Sequence, residues 1–196
     1  MAATLDSSPR PRGAARRAAL LEATLRVIAD VGPDAVTHRR VADEAQLPLA
    51  STTYWFESKE HLLTEALRYA ADNDLLRLEA AAQRLHDGPV TPADIVAVIA
   101  DAGSSRGSLM ATYALLLEAA RRPALRELSR RWGDAYVDTT AALLDRAGSP
   151  SPRADARLLL AAADGLAIDR LATGTTGTAE DHAELQRLIR TLVAAR

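Results

Sequence analysis

The chain has 196 residues, with 24 basic and 26 acidic side chains and a formal net charge of −2. It contains no cysteine, which excludes a disulfide framework, a thiolate nucleophile and a cysteine-based zinc site. No apolar run reaches the roughly 18 residues needed to span a bilayer, and the N-terminal residues lack the apolar core of a signal peptide. We therefore expect a cytoplasmic protein that has no membrane partner.

The first part of the chain predicts a basic arm followed by a three-helix unit. Residues 1–13 are rich in Ser, Pro, Gly and Arg and are expected to be mobile. Apolar residues at helical spacing predict an amphipathic helix over residues 14–31. Two short helices follow, over residues 37–45 and 48–55, joined by a turn of three or four residues. The predicted core of this unit is small and consists of Leu21, Leu25, Ile28, Val36, Val41, Ala45, Leu47 and Phe56.

Residues 37–63 have the pattern of a helix-turn-helix followed by a longer helix. Thr37 can cap the first short helix, and Pro48 is tolerated at the first position of the second. The second helix carries compact polar side chains of the kind that reach base edges and phosphates in a major groove. Ser58 can cap the next helix, where backbone N–H groups and Lys59 would form a phosphate site. This pattern predicts a DNA contact.

The stretch resembles the DNA-binding domain of the TetR family of bacterial repressors. The resemblance rests on Val41-Ala42, on Phe56, and on Ser58-Lys59-Glu60-x-Leu62-Leu63. It implies an all-α fold of about nine helices, with a helix-turn-helix DNA-binding domain over residues 14–60 and a helical regulatory and dimerisation domain over residues 61–196. The candidate DNA contacts are Arg39, Arg40, Leu49, Ser51, Thr52, Thr53, Tyr54, Trp55 and Lys59.

The chain departs from the family pattern at several of these positions. Gln46 stands where the family usually has Gly, Pro48 where it has a small polar residue, Thr53 where it has Tyr and Trp55 where it has His. Two interpretations of Trp55 stay open, because its indole N–H can donate to a phosphate or its ring can pack against the first helix. Tyr54 is expected to bring a hydroxyl to the DNA face, with no particular base or phosphate assigned.

Charge alone does not identify a DNA-binding unit, since basic and acidic residues are equally numerous up to residue 61. Basic side chains cluster, however, in the N-terminal arm at Arg10, Arg12, Arg16 and Arg17. They belong either to a solvated tail or to an arm that contacts the minor groove or phosphates. We favour the arm because of the neighbouring helix-turn-helix motif.

The rest of the chain predicts six further helices and no strand. A long helix over residues 58–85 would begin in the DNA-binding unit and end in the second unit. The later helices are predicted over residues 91–102, 108–121, 123–147, 153–173 and from Thr178 onward, with Gly, Ser and Pro between them.

The last two helices are predicted to form a dimer interface. Residues 153–173 are apolar on most faces, and the final helix carries an apolar stripe, so both need to be covered on more than one side. The resemblance implies a four-helix interface between two copies, with Leu158, Ala162, Gly165, Leu166, Leu185, Leu188 and Leu192 as candidate contacts. The alternative is two ordinary core helices of a monomer.

Bulky and polar side chains on the middle helices are candidates for a ligand pocket. They are Tyr69, Asn73, Met110, Tyr113, Trp132 and Tyr136. In a chain with only 4% aromatic residues, this set is typical of an apolar pocket with a few hydroxyl and indole donors. For each residue taken alone, ordinary core packing is the alternative.

The expected function is that of a ligand-responsive DNA-binding transcriptional regulator. The resemblance implies a repressor that binds a near-palindromic operator on double-stranded DNA as a homodimer and is released by an unidentified small molecule. No cofactor is expected, and the four histidines lack metal-binding spacing. The chain has no nucleophile elbow, P-loop or dinucleotide fingerprint, so an enzyme is not expected. The remaining alternative is an all-α dimeric scaffold whose helix-turn-helix only packs.

Overall fold

The computed structural model describes residues 11–85, 88–102, 105–175 and 179–194, which form nine α-helices and no strand. The helices are α1 Pro11–Val31, α2 His38–Glu44, α3 Leu49–Trp55, α4 Lys59–Gln83, α5 Pro92–Ala102, α6 Arg106–Arg121, α7 Pro123–Arg146, α8 Pro152–Thr173 and α9 Ala179–Ala194. One 3₁₀ turn, Pro33–Ala35, joins α1 to α2. The all-α fold predicted from the sequence is confirmed.

Side-chain caps determine where several helices begin. The Oγ1 of Thr37 accepts the Arg40 N–H at 3.1 Å, and the Oγ of Ser58 accepts the His61 N–H at 3.0 Å. At the start of α5, the Asp94 N–H donates to the Thr91 hydroxyl at 3.3 Å while the Asp94 carboxylate accepts the Thr91 N–H at 2.9 Å. Because these groups satisfy backbone N–H donors at a helix start, the boundaries follow from the local sequence.

Several predicted helix starts differ from the structure, including that of α6, which begins at Arg106 instead of residue 108. α1 begins at Pro11, inside the predicted mobile segment 1–13, because proline is well tolerated at the first helical position. The first ten residues of that segment lie outside the described residues. Pro48 is the N-cap of α3 rather than its first residue. The predicted cap of α9, Thr178, also lies outside the described residues.

The turn between α2 and α3 requires a left-handed residue, and this residue is Gln46, with φ at 54°. The Leu47 N–H donates to the Ala42 carbonyl at 2.9 Å, and the Gln46 N–H donates to the Asp43 carbonyl at 3.1 Å. These two bonds are those of a Schellman motif, in which Gly is the favoured left-handed residue. The conformation explains why a Gly at this position suits the helix-turn-helix, and it leaves Gln46 under local backbone strain.

Buried side chains form two clusters. The first cluster joins α1, α2, the end of α3 and the first half of α4. All eight core residues predicted for the N-terminal unit belong to this cluster or pack against it. The cluster also includes Ala111, Leu115 and Ala119 of α6 and Leu125 of α7. The core of the DNA-binding unit therefore does not close at residue 60, because α6 packs on α1 and completes it.

The second cluster contains the end of α4 together with α5, the second half of α7, α8 and α9. α4 contributes to both clusters, with Leu67 and Ala71 in the first and Leu78 and Ala81 in the second. A single continuous helix thus links the two units, as the sequence predicted.

Candidate functional site

The outer face of α3 is a candidate nucleic-acid surface. Tyr54 is 78% exposed, and Leu49 and Thr53 are also exposed. Phe56, just after α3, is buried and holds the helix against α1 and α4. Arg39 and Arg40 are exposed on α2. The face of α3 that does not pack therefore combines a phenol, a hydroxyl and an apolar side chain, with two guanidinium groups on the preceding helix.

Thr52 does not belong to this surface, and the prediction for this residue is wrong. Its side chain is 0% exposed, and its Oγ1 has no hydrogen-bond partner among the described residues. Residues 51–54 form a run of four polar side chains, but adjacent residues on a helix point in directions about 100° apart, so they do not share one face. A fully buried hydroxyl cannot reach DNA.

Trp55 and Ser51 lie at the edge of the surface, and both are partly buried. The Trp55 ring packs against the first cluster and contacts the Tyr54 ring edge-on, with 5.0 Å between centroids. The structure thus shows the packing contact of the ring, and donation of the indole N–H to a phosphate stays a prediction. Thr53 directs its hydroxyl to the Ala50 carbonyl of its own helix at 3.3 Å.

Lys59 connects the start of α4 to the turn before α2. Its Nζ donates to the Asp34 carbonyl at 2.7 Å. An ammonium has three N–H donors, so two donors stay available for a phosphate while the third positions the side chain.

The α1–α4 contact accounts for one candidate ligand residue. The Tyr69 hydroxyl donates to the Glu22 carboxylate at 2.8 Å, and Arg17 of α1 pairs with Glu65 of α4. Burial, followed by the bond to Glu22, raises the pKa of Tyr69. Tyr69 therefore joins two helices instead of facing a pocket.

A cavity of about 740 Å³ lies among α4, α5, α6, α7, α8 and α9. We call it the large cavity. Tyr113, Trp132 and Tyr136 line it, whereas Tyr69, Asn73 and Met110 do not. Met110 is instead exposed on the outer side of α6. The α7 side of the cavity follows one helical face, with Ser129, Trp132, Gly133, Tyr136 and Val137 at i, i+3, i+4, i+7 and i+8 spacing.

Two carboxyl groups line the large cavity, and neither was a predicted site residue. Asp74 of α4 is buried and pairs with Arg77, while Asp164 of α8 accepts the Tyr113 hydroxyl at 2.9 Å. Burial raises the pKa of Asp74, Tyr113 and Tyr136. Desolvation on the cavity side also raises the pKa of Asp164, although its side chain as a whole is exposed. The sequence does contain an indication of Asp164, because it is an acidic residue within the strongly apolar α8.

The outward face of α8 carries an exposed apolar stripe. Leu158 is 58% exposed and Ile168 51% exposed. With Ala161, Gly165 and Ala172, which are also exposed, they follow a 3-4-3-4 spacing along one face, and Ala161 lies where this face meets the large cavity. We call these five residues the α8 stripe. Among the other candidate interface residues, Leu185 is buried and lines the large cavity, and Ala162, Leu166 and Leu188 pack within their own chain. Leu192 is partly buried.

Two family models match the chain, one over each part. The model described as "Bacterial regulatory proteins, tetR family" matches residues 20–66. The model described as "Tetracyclin repressor-like, C-terminal domain" matches residues 87–195. The chain belongs to the TetR family. The family resemblance of the helix-turn-helix is thereby confirmed and extends over the helical domain.

Solved structures support the assignment of this TetR-family chain. A TetR-family member from Streptomyces coelicolor A3 is 31% identical, with 92% of this chain and 99% of that chain covered and a TM-score of 0.71. The multidrug binding protein EbrR, complexed with ethidium, is 30% identical, with 92% and 99% covered and a TM-score of 0.69. A transcriptional regulator from Rhodococcus sp. Rha1 is 25% identical, with 89% and 94% covered and a TM-score of 0.77. No curated protein matches the chain.

The TetR family is one of DNA-binding transcriptional regulators, not enzymes. Within the described ranges, no group of side chains could hold a metal ion. None of the helices found there has the length and apolar character needed to cross a membrane.

Proposed function

We propose that this TetR-family regulator is a homodimeric repressor that binds a near-palindromic operator and is released by a small molecule bound in the large cavity. One observation carries the proposal. Only three residues separate the end of α3 from the start of α4, and α4 then lines the large cavity at Asp74. Fifteen residues of helix separate Lys59 from Asp74, or roughly 22 Å at 1.5 Å per residue. A ligand that displaces α4 must therefore move α3.

On the DNA side, α3 presents Leu49, Thr53 and Tyr54 outward while Phe56 anchors it. In a helix-turn-helix protein this second helix enters the major groove, and flanking cations contact phosphates. Arg39, Arg40 and Lys59 supply those cations. The proposed contacts therefore omit Thr52 and treat Trp55 as packing.

The dimer proposal rests on the α8 stripe. Large exposed apolar side chains on a regular helical face favour burial against a partner. A Cβ at Gly165 would meet no atom of the chain, so the middle of the stripe is open to close helix approach. A second copy gives a closed two-fold interface, and two-fold symmetry would place two α3 helices on successive half-sites about 34–36 Å apart.

A second link connects the large cavity to the DNA-binding unit. Leu109, Thr112, Tyr113 and Leu116 of α6 line the cavity. Just after α6, the Nε of Arg122 donates to the buried Glu118 at 2.7 Å, and its Nη1 donates to Glu60 at 3.3 Å. Glu60 lies in the first turn of α4. Movement of α6 by a ligand would thus be transmitted to the helix that follows α3.

Selection of bound duplexes from a random-sequence pool, at several salt concentrations, tests the DNA part of the proposal. We expect a near-palindrome to be enriched and the affinity to fall as salt rises, because phosphate contacts release counterions. Tyr54→Ala should abolish enrichment. Leu117→Ala, an equally exposed change on α6, is the matched control and should leave it intact. Enrichment that survives Tyr54→Ala, or binding that does not respond to salt, would overturn the proposal.

A further inference from the structure

Arg17 of α1 contacts the segment that joins α3 to α4. Its side chain is 33% exposed, and it forms an ion pair with Glu65 of α4, whose side chain is 15% exposed. The Arg17 Cζ also lies 5.8 Å from the centroid of the Phe56 ring. A planar guanidinium suits such a pair of contacts better than an ammonium does. The sequence groups Arg17 with the basic arm, whereas the structure directs its guanidinium to Glu65 and Phe56.

Phe56 transmits the position of its surroundings to α3. Its side chain is 1% exposed, and its N–H donates to the Thr52 carbonyl at 2.9 Å, which closes the last turn of α3. From the side of α4, the His61 ring contacts the Phe56 ring edge-on, with 5.9 Å between centroids. Arg17 and His61 thus contact the same ring from two different helices. Because Phe56 directly follows α3, the position of this ring determines where the outer residues of α3 lie.

The same ion pair joins α1 to α4 beside this ring. About one helical turn further along α4, the Tyr69 hydroxyl donates to Glu22 of α1, so side chains link the two helices at two levels. The Glu65 carboxylate also lies 3.6 Å from the Arg68 Nε, but that pair lies within α4 and Arg68 is 57% exposed. An exposed pair within one helix stabilises little and cannot orient one helix against another. The pair with Arg17 is therefore the contact of Glu65 that orients α4 relative to α1.

We propose that Arg17 is a positioning residue for sequence recognition. Paired with Glu65, it holds Phe56, and thereby α3, in the orientation that the operator requires, and it does not itself contact DNA. Loss of the pair lowers the affinity for the operator but not for random DNA, because phosphate contacts from other residues dominate binding to random DNA. This inference goes beyond the proposed function but rests on it, since its test uses the operator selected there.

A double-mutant cycle on the full-length protein tests this role. Arg17→Gln and Glu65→Gln, singly and together, each remove one charge of the pair. Affinities for the selected operator and for a random duplex are measured at several salt concentrations, well below the melting temperature of every variant. We expect each single variant to lower the ratio of operator affinity to random affinity by about 3- to 30-fold, as for residues that act in one network. The double variant should lower it no further, because either single change already breaks the pair.

Glu65→Gln distinguishes positioning from a direct DNA contact. It removes a negative charge from the DNA-binding unit and releases Arg17, so electrostatics alone would strengthen DNA binding or leave it unchanged. The expected loss of operator affinity has the opposite sign. Glu79→Gln is the matched control, because it makes the same charge change at an exposed position of α4, roughly 21 Å along the helix at 1.5 Å per residue. It should leave the affinity ratio within about twofold of the parent.

Each outcome decides the role of Arg17. An unchanged affinity ratio in both single variants overturns the inference, even if their melting temperatures fall, because the pair then only stabilises the fold. An equal loss for operator and random DNA in Arg17→Gln, with the slope of log affinity against log salt reduced by about one, makes Arg17 a phosphate contact and also overturns it. Additive losses in the double variant overturn it as well. A parent protein that enriches no sequence overturns the DNA part of the proposed function, and this inference with it.

Discussion

Replacing Thr52 with Val should stabilise the protein without weakening DNA binding. The Thr52 side chain lies on the inner face of α3, where it is fully buried, and its Oγ1 has no hydrogen-bond partner among the described residues. Valine has nearly the same shape and a similar helix propensity, so the substitution exchanges an unpaired hydroxyl for a methyl group with little repacking.

The magnitude follows from the unpaired hydroxyl. A buried polar group left without a hydrogen bond destabilises a protein by about 1–3 kcal/mol. Allowing for residual strain of the new methyl group, we expect about 1–2 kcal/mol of added stability, or roughly 2–8 °C in melting temperature for a chain of this size. Thr53→Val, at the exposed neighbouring position, is the control and should change stability by less than about 0.5 kcal/mol.

Two assays test whether the Thr52 hydroxyl is buried and unpaired. Thermal and denaturant unfolding give the stability of Thr52→Val, and binding to the selected operator gives its DNA affinity. A loss of stability would show that the hydroxyl is paired in the folded protein. A loss of DNA affinity with unchanged stability would show that Thr52 faces DNA, which would refute the orientation of α3 described above.

Substitutions at four further positions should change stability, DNA binding, ligand response or dimerisation. Gln46→Val should lower stability by about 1–2 kcal/mol because a branched side chain is strained at positive φ, whereas Gln46→Gly should not; denaturant unfolding compares them. Lys59→Ala should weaken binding to all DNA sequences and reduce the slope of log affinity against log salt by about one; an effect on stability alone would leave Lys59 as an anchor for Asp34. Arg122→Ala should reduce the factor by which a bound ligand weakens operator binding, and should lower stability by about 1–3 kcal/mol because Glu118 loses a charged partner; an unchanged factor would contradict the proposed link through α6. Ile168→Arg should place a charge in the α8 stripe and yield monomers in light scattering; a persistent dimer would exclude the stripe as the interface.

The features that the sequence predicted well are those encoded locally. Thr37 and Ser58 cap the helices that follow them, and the eight predicted core residues of the N-terminal unit are buried or partly buried in one cluster. Caps depend on the next three residues, and helical spacing depends on one turn. Such signals can be interpreted without knowledge of the fold.

The site was less predictable, because it depends on how helices pack. The polar run at Ser51–Tyr54 gave no indication that Thr52 points inward, since the direction of α3 is set by its contacts with α1 and α2. Tyr69 was placed in a pocket by its size and polarity, yet it bonds Glu22 of α1, 47 residues away in sequence. Asp164 faces a cavity that exists only because six helices surround it. Contacts between segments that are distant in sequence do not change the local spacing of apolar residues, so this spacing cannot predict them.

If α4 transmits movement from the large cavity to α3, binding of a ligand and binding of the operator must be coupled. The affinity of a probe that binds the large cavity would be measured on the free protein and on the protein saturated with its selected operator. Operator affinity would be measured with and without that probe. We expect the probe and the operator each to weaken binding of the other by the same factor, because both act on one conformational equilibrium through α4. Equal probe affinity for the free and the operator-bound protein would show that the large cavity and α3 are not coupled.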